Sequence, residues 1–185
     1  MVSDEIHAPL VYAPVTFTPY LTVDQTAMAL HAASKAWNLA AIPAALLVFG
    51  EDAADARRVF VNGAHHGPTH FGAIAQTAAY REGGPWLDAV LVDLAENRDL
   101  LADLLAEHVP GARLTPLEST YLAWVDCRAL GLDAEPAAVF LERGRVAFNP
   151  GPTFGTGGEG HVRINIATHP EILTEAVRRM AAALR

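Results

Sequence analysis

One stretch constrains this chain more than any other. Between Gly83-Gly84-Pro85 and Pro110-Gly111, the residues Leu87, Val90, Leu91, Leu94, Leu101, Leu104 and Leu105 recur at helical spacing. Proline is at home in the first turn of a helix, and a proline-glycine pair ends one. The pattern predicts a single long helix in mid-chain, which divides the sequence into two textures. Before it, Ala27–Leu30 and Ala44–Phe49 are short apolar runs bounded by small residues, as in buried strands. Asp52–Val61 and His70–Tyr80 read as helices, and SKAWNLAAIP between the strands reads as a compact loop. Residues 1–12 read as the end of a strand running into a turn. After the long helix, Ser119–Val125 is strand-like and Pro136–Glu142 helical. Val146–Phe148 and His161–Ala167 read as strands around a glycine-rich loop, and Glu171–Leu184 as an amphipathic closing helix. The expectation is α/β, with a first part over 1–83 and a bridging helix plus a smaller α+β unit over 84–185.

Composition narrows the function. The net charge of −8 disfavours a nucleic-acid backbone or an anionic membrane as partner. No apolar run reaches membrane-spanning length, and the charged start does not resemble a signal peptide. The one cysteine, Cys127, rules out a disulfide framework and a cysteine metal site. These features point to a cytoplasmic location.

The cations are distributed unevenly. Lys and Arg total 13, of which 12 are arginine, leaving Lys35 as the lone lysine. It stands among small and apolar residues. It is either a snorkelling side chain or an amine whose chemistry arginine cannot replace. A second cluster, Ser3-Asp4-Glu5-Ile6-His7, puts an Asp where a strand would end, which is where open α/β sheets place ligand-binding groups. Asp4 and His7 by themselves fit a structural pair, a metal fragment or part of a cofactor site.

DEIHAPL followed by SKAWNL resembles the fold-type I enzymes that use pyridoxal 5'-phosphate (PLP), and within them the C–S lyases of the cystathionine β-lyase type, the MalY/PatB group. AAYREGGPWLD, STYLAWVDCRALGL, NPGPTFGTGGEG and HVRINIA follow in that group's order, so the resemblance covers the whole chain. It implies the C-terminal part of the aspartate aminotransferase-like fold, with a partial large domain and a small domain. It also implies that Lys35 holds PLP and then acts as the base on the substrate α-proton. Asp4 would face the pyridine nitrogen, where an anion keeps the ring protonated. His7 would face the phenolic oxygen, and Ser34 the phosphate. Ala32 stands where such enzymes often carry a phosphate-binding serine. Arg163 would grip the substrate carboxylate through its planar fork. Tyr121 and Trp124 read as core and pocket wall.

The implied activity is β-elimination from cystathionine or a cysteine conjugate, giving pyruvate, ammonia and a thiol. Aminotransferase chemistry would use the same Lys35, Asp4 and Arg163 and is the alternative. The resemblance also implies proteins about twice this length, whose other half carries the phosphate loop, the ring stacking on PLP and an asparagine. This chain therefore reads as an incomplete active site. It would work as a homodimer or paired with the missing half, or serve as a non-catalytic truncated homologue. Two other motifs are set aside. Gly155–Gly160 fits G-x-G-x-x-G but is followed by a strand pattern, so no dinucleotide site is expected. His65, His66 and His70 lack a carboxylate partner at useful spacing, so no metal is expected.

Overall fold

A computed structural model describes residues 1–63 and 67–185, and it falls into two units, Met1–Leu91 and Val92–Arg185. His65 and His66 lie outside the described residues.

The first unit holds a three-stranded sheet made of β1 (Val2–Asp4), β2 (Met28–His31) and β3 (Leu46–Phe49), in that order. β1 runs parallel to β2 with Asp4 opposite Leu30, and β2 runs antiparallel to β3. Helix α1 (Ala54–Gly63) follows β3, and α2 (His70–Glu82) comes next. Thr69 caps α2 by accepting the Gly72 N–H at 3.0 Å, satisfying one of the donors a helix start leaves open. The buried set of this unit is dominated by small residues: Ala27, Ala29, Ala32, Ala33, Ala36, Ala53 and Ala79 beside Leu10 and Tyr12. Larger apolar side chains, such as Leu46 and Val48 on β3 and Phe71 and Ile74 on α2, stay exposed.

The predicted long helix is α3 (Gly84–His108). Its deeply buried stripe is Leu94, Asn97, Leu101, Leu104 and Leu105, whereas Leu87, Val90 and Leu91 are half-buried. Asn97 is the one polar member of that stripe. Its Nδ2 donates to the carbonyls of Ile166 at 2.9 Å and Thr168 at 2.7 Å, which offsets the cost of burying an amide.

The second unit has an antiparallel sheet, with β4 (Arg113–Leu114), β5 (Leu122–Asp126), β7 (His161–Asn165) and β6 (Asn149–Pro150) in that spatial order. α4 (Pro136–Gly144) and α5 (Pro170–Ala182) pack together. A Cβ on Gly144 would come within 2.5 Å of the Arg179 carbonyl, so the close approach of these helices needs a glycine there. The core is built of large residues, among them Phe140, Leu101, Leu105, Ile166, Leu173 and Met180. One expectation fails here. Val146–Phe148 is not a strand, because α4 ends in a left-handed Arg145 and pairing begins only at Asn149.

Candidate active site

Asp4 is the last residue of β1, and Lys35 lies four residues beyond the end of the parallel neighbour β2. Parallel strands point the same way, so both residues leave the sheet at its carboxyl edge. That edge is where open α/β sheets bind ligands. The Glu5 N–H bonds to the Leu30 carbonyl at 2.9 Å and keeps the two chain segments paired just past Asp4. Asp4 is exposed, and its Oδ1 accepts the Ile6 N–H at 3.2 Å, an Asx turn that starts the departure from the strand. His7 is half-buried three residues further on.

Lys35 sits in the middle of a single tight turn. The Trp37 N–H reaches the Ala33 carbonyl at 3.1 Å, closing the loop around the lysine. Two bonds fasten this turn to α2. The Ala33 N–H donates to Oε1 of buried Gln76 at 3.1 Å, and Trp37 Nε1 donates to the Gly83 carbonyl at 2.9 Å. The Trp37 ring also meets Tyr80 edge-on at 5.3 Å. Ala33 and Ala36 are buried, whereas Ser34 and Lys35 are half-buried. The inward positions are small, so the turn packs closely and presents its polar members outward. Ser34 and Lys35 line a surface hollow of about 610 Å³ together with Ala32, Gly67, Pro68 and Thr69. An amine and two hydroxyls thus share one concavity.

Next to Asp4, and at the end of β2, Glu5 and His31 stand as a pair. Glu5 is buried. Its Oε1 accepts the Tyr20 N–H at 2.8 Å, and Oε2 stands 3.6 Å from His31 Nε2 at the end of β2.

Arg163 lies in the middle of β7 in the second unit, opposite Trp124 on β5 and Asn149 on β6. Its Nη2 donates to Asn149 Oδ1 at 3.3 Å, and its Cζ lies 4.2 Å from the centroid of the Phe154 ring. The Arg163 Nε is buried and has no hydrogen-bond partner among the described residues. Tyr121 is half-buried, and burial raises its phenol above the ordinary value, against the opposing pull of the Arg163 charge. The glycine-rich segment turns through positive φ at Gly155, Gly157 and Gly160 and runs into β7, not into a helix.

The chain thus carries an amine and a carboxylate on one sheet edge in the first unit, and a guanidinium with an open donor in the second. Gln76, Trp37, Phe154 and Asn149 were not picked out as site residues. Trp37 and Phe154 stand inside the motif segments SKAWNL and NPGPTFG, and Gln76 is the lone long polar residue on the buried side of α2.

No family model matches the chain. Individual proteins match it from end to end. A "Putative cystathionine beta-lyase" of Mycobacterium leprae is 47% identical across the whole chain and half of its own length. Cystathionine beta-lyase PatB of Bacillus subtilis is 32% identical, again across the whole chain and 49% of PatB. Among solved structures, the PLP-bound C–S lyase of Staphylococcus hominis superposes with a TM-score of 0.91 at 27% identity, over 99% of this chain and 49% of that one. The fold is that of the C-terminal half of the PLP-dependent aminotransferase-fold proteins. Within that class the chain is homologous to the cystathionine β-lyases of the MalY/PatB group. It spans about half the length of the curated relatives it matches.

Proposed function

We propose that this chain carries the lysine-bearing and carboxylate-binding part of a PLP-dependent C–S lyase of the cystathionine β-lyase type. The observation that carries this reading is the placement of Lys35, the lone lysine, in a pinned turn at the same sheet edge as Asp4. The residues suit the group. An amine can bond an aldehyde, the Ser34 hydroxyl beside it can donate to a phosphate, and an exposed carboxylate can hold a proton on a pyridine nitrogen. His7 is the partner for the phenolic oxygen. When bound, PLP supplies the electron sink for chemistry at the substrate α-carbon.

The chain's own residues do the remaining work. Arg163 binds and orients the amino-acid carboxylate through charge-assisted hydrogen bonds. Lys35 Nζ takes the α-proton. The Cβ–S bond breaks, a thiol leaves, and hydrolysis of the remainder releases pyruvate and ammonia. The substrate class is an amino acid with a sulfur leaving group at Cβ, such as cystathionine or a cysteine conjugate. The phosphate-loop and ring-stacking contacts that the resemblance implies are not among these residues, so full activity is expected with the other half present, in a dimer. Among the described residues, no helix is long and apolar enough to cross a membrane. The acidic composition and the single, buried cysteine support a cytoplasmic setting.

The test is borohydride reduction in the presence of PLP, followed by peptide mapping. A pyridoxyl group on Lys35, absent in Lys35→Ala, is the expected result. No label on Lys35 when the complementary half is also supplied overturns the reading. The reaction is then assayed without a keto-acid acceptor. Pyruvate release supports the lyase, and strict dependence on an acceptor assigns an aminotransferase instead.

A further inference from the structure

Phe154 closes the short 3-10 turn Gly151–Phe154 and is 47% exposed, yet its ring lies across the Arg163 guanidinium at 4.2 Å. The ring does not stand alone. Phe154 meets Trp124 edge-on at 5.6 Å and 80°, and Trp124 stacks on buried His161 at 5.4 Å and 16°. Trp124 pairs directly with Arg163 across β5 and β7, and His161 precedes Arg163 by two residues on the same face of β7. A row of rings therefore rises from the sheet and ends on the guanidinium.

The hydrogen bonds around Arg163 leave that orientation undefended. The Nη2 bond to Asn149 is long, at 3.3 Å, and the buried Nε has no partner among the described residues. The buried Nε thus puts no hydrogen bond on the guanidinium plane, and the Nη groups are left as the donors that can meet a carboxylate. A guanidinium recognises a carboxylate only when its plane is correctly set, and an aromatic face against that plane sets it without using any N–H.

We propose that Phe154 is a positioning residue for Arg163, holding the guanidinium plane so that its free donors meet the substrate carboxylate. This rests on the reading of Arg163 as the carboxylate receptor. The turn that carries Phe154 thereby sets carboxylate affinity without touching the reacting atoms.

The test uses the full chain labelled with 15N. The Arg163 Nε–H resonance, assigned by its loss in Arg163→Lys, is followed during titration with propionate at constant ionic strength. Wild type and Phe154→Tyr, which keeps the ring, show the same saturable shift. Phe154→Leu keeps the apolar bulk but loses the π face, and its half-saturation concentration rises about two- to five-fold. Equal behaviour of Phe154→Leu and wild type overturns the role of Phe154. So does equal weakening in the leucine and tyrosine variants. A wild-type resonance that ignores propionate overturns the Arg163 reading itself, and the Phe154 role with it.

Discussion

The attachment of the lysine turn to α2 depends on a side chain that no motif marks. Gln76 is 7% exposed and accepts the N–H of Ala33, itself 1% exposed, at 3.1 Å. Gln76→Leu fills the same space but removes the acceptor. The Ala33 N–H then has no partner in a site closed to water, and a buried unsatisfied amide costs about 1–3 kcal/mol. For a unit the size of Met1–Leu91, each kcal/mol lowers the melting temperature by about 4–8 °C. A drop on the order of 5–20 °C follows for the transition of that unit. Thr77→Ala, next along the helix on an exposed position, is the control, and its effect should stay within about 0.5 kcal/mol. Calorimetry reads the transition, and borohydride trapping with PLP reads the Lys35 turn, where Gln76→Leu lowers the labelling yield. A Gln76→Leu chain that melts and labels like wild type would refute this account of how the lysine is held.

Three further outcomes follow from the geometry. Gly83→Ala puts a methyl 2.4 Å from Trp37 Nε1, so it breaks the bond from Trp37 to the Gly83 carbonyl. In a chain with Trp86 and Trp124 changed to Phe, the remaining Trp37 emission shifts to longer wavelength, and an unchanged spectrum contradicts the anchor. Asp126 accepts the Arg128 side chain at 2.9 and 2.7 Å and its N–H at 2.9 Å, and these bonds hold its carboxyl well below the ordinary 3.8. A lowered folded-state value gives stability that is present above the unfolded value and lost as pH falls through the folded one. Asp126→Asn is therefore less stable than wild type at neutral pH, and urea titrations should show the gap closing only below about pH 4. Burial, with the Asp126 and Glu135 charges adding to it, pushes the Cys127 thiol up to about 12. The native chain should resist a thiol reagent at mildly alkaline pH and react once unfolded in urea, and rapid native labelling would show that the thiol is accessible.

Much of the fold was legible from local pattern. Pro85 and Pro110-Gly111 bracket α3 because proline and glycine act on the backbone wherever they stand. The strand runs appear as β2, β3, β5 and β7, each within a residue or a few of its expected span. The strand expectation for Val146–Phe148 fails because apolar residues after a helix have the local pattern of a strand. Their backbone instead crosses from the left-handed Arg145 to the pairing partner of β7, and only the sheet decides where pairing starts.

The site divides along the same line. A lone lysine in 185 residues and an aspartate at a strand end are properties of the chain itself, so Lys35 and Asp4 stand out as candidates from the sequence alone. That β1 and β2 run parallel, and so deliver both residues to one edge, is a matter of long-range pairing that no local spacing encodes. The same holds for Gln76 against Ala33, 43 residues apart, and for Phe154 across the Arg163 guanidinium. Residue chemistry is carried by each position alone, whereas which donor meets which acceptor, and which ring covers which cation, is settled only when distant segments pack.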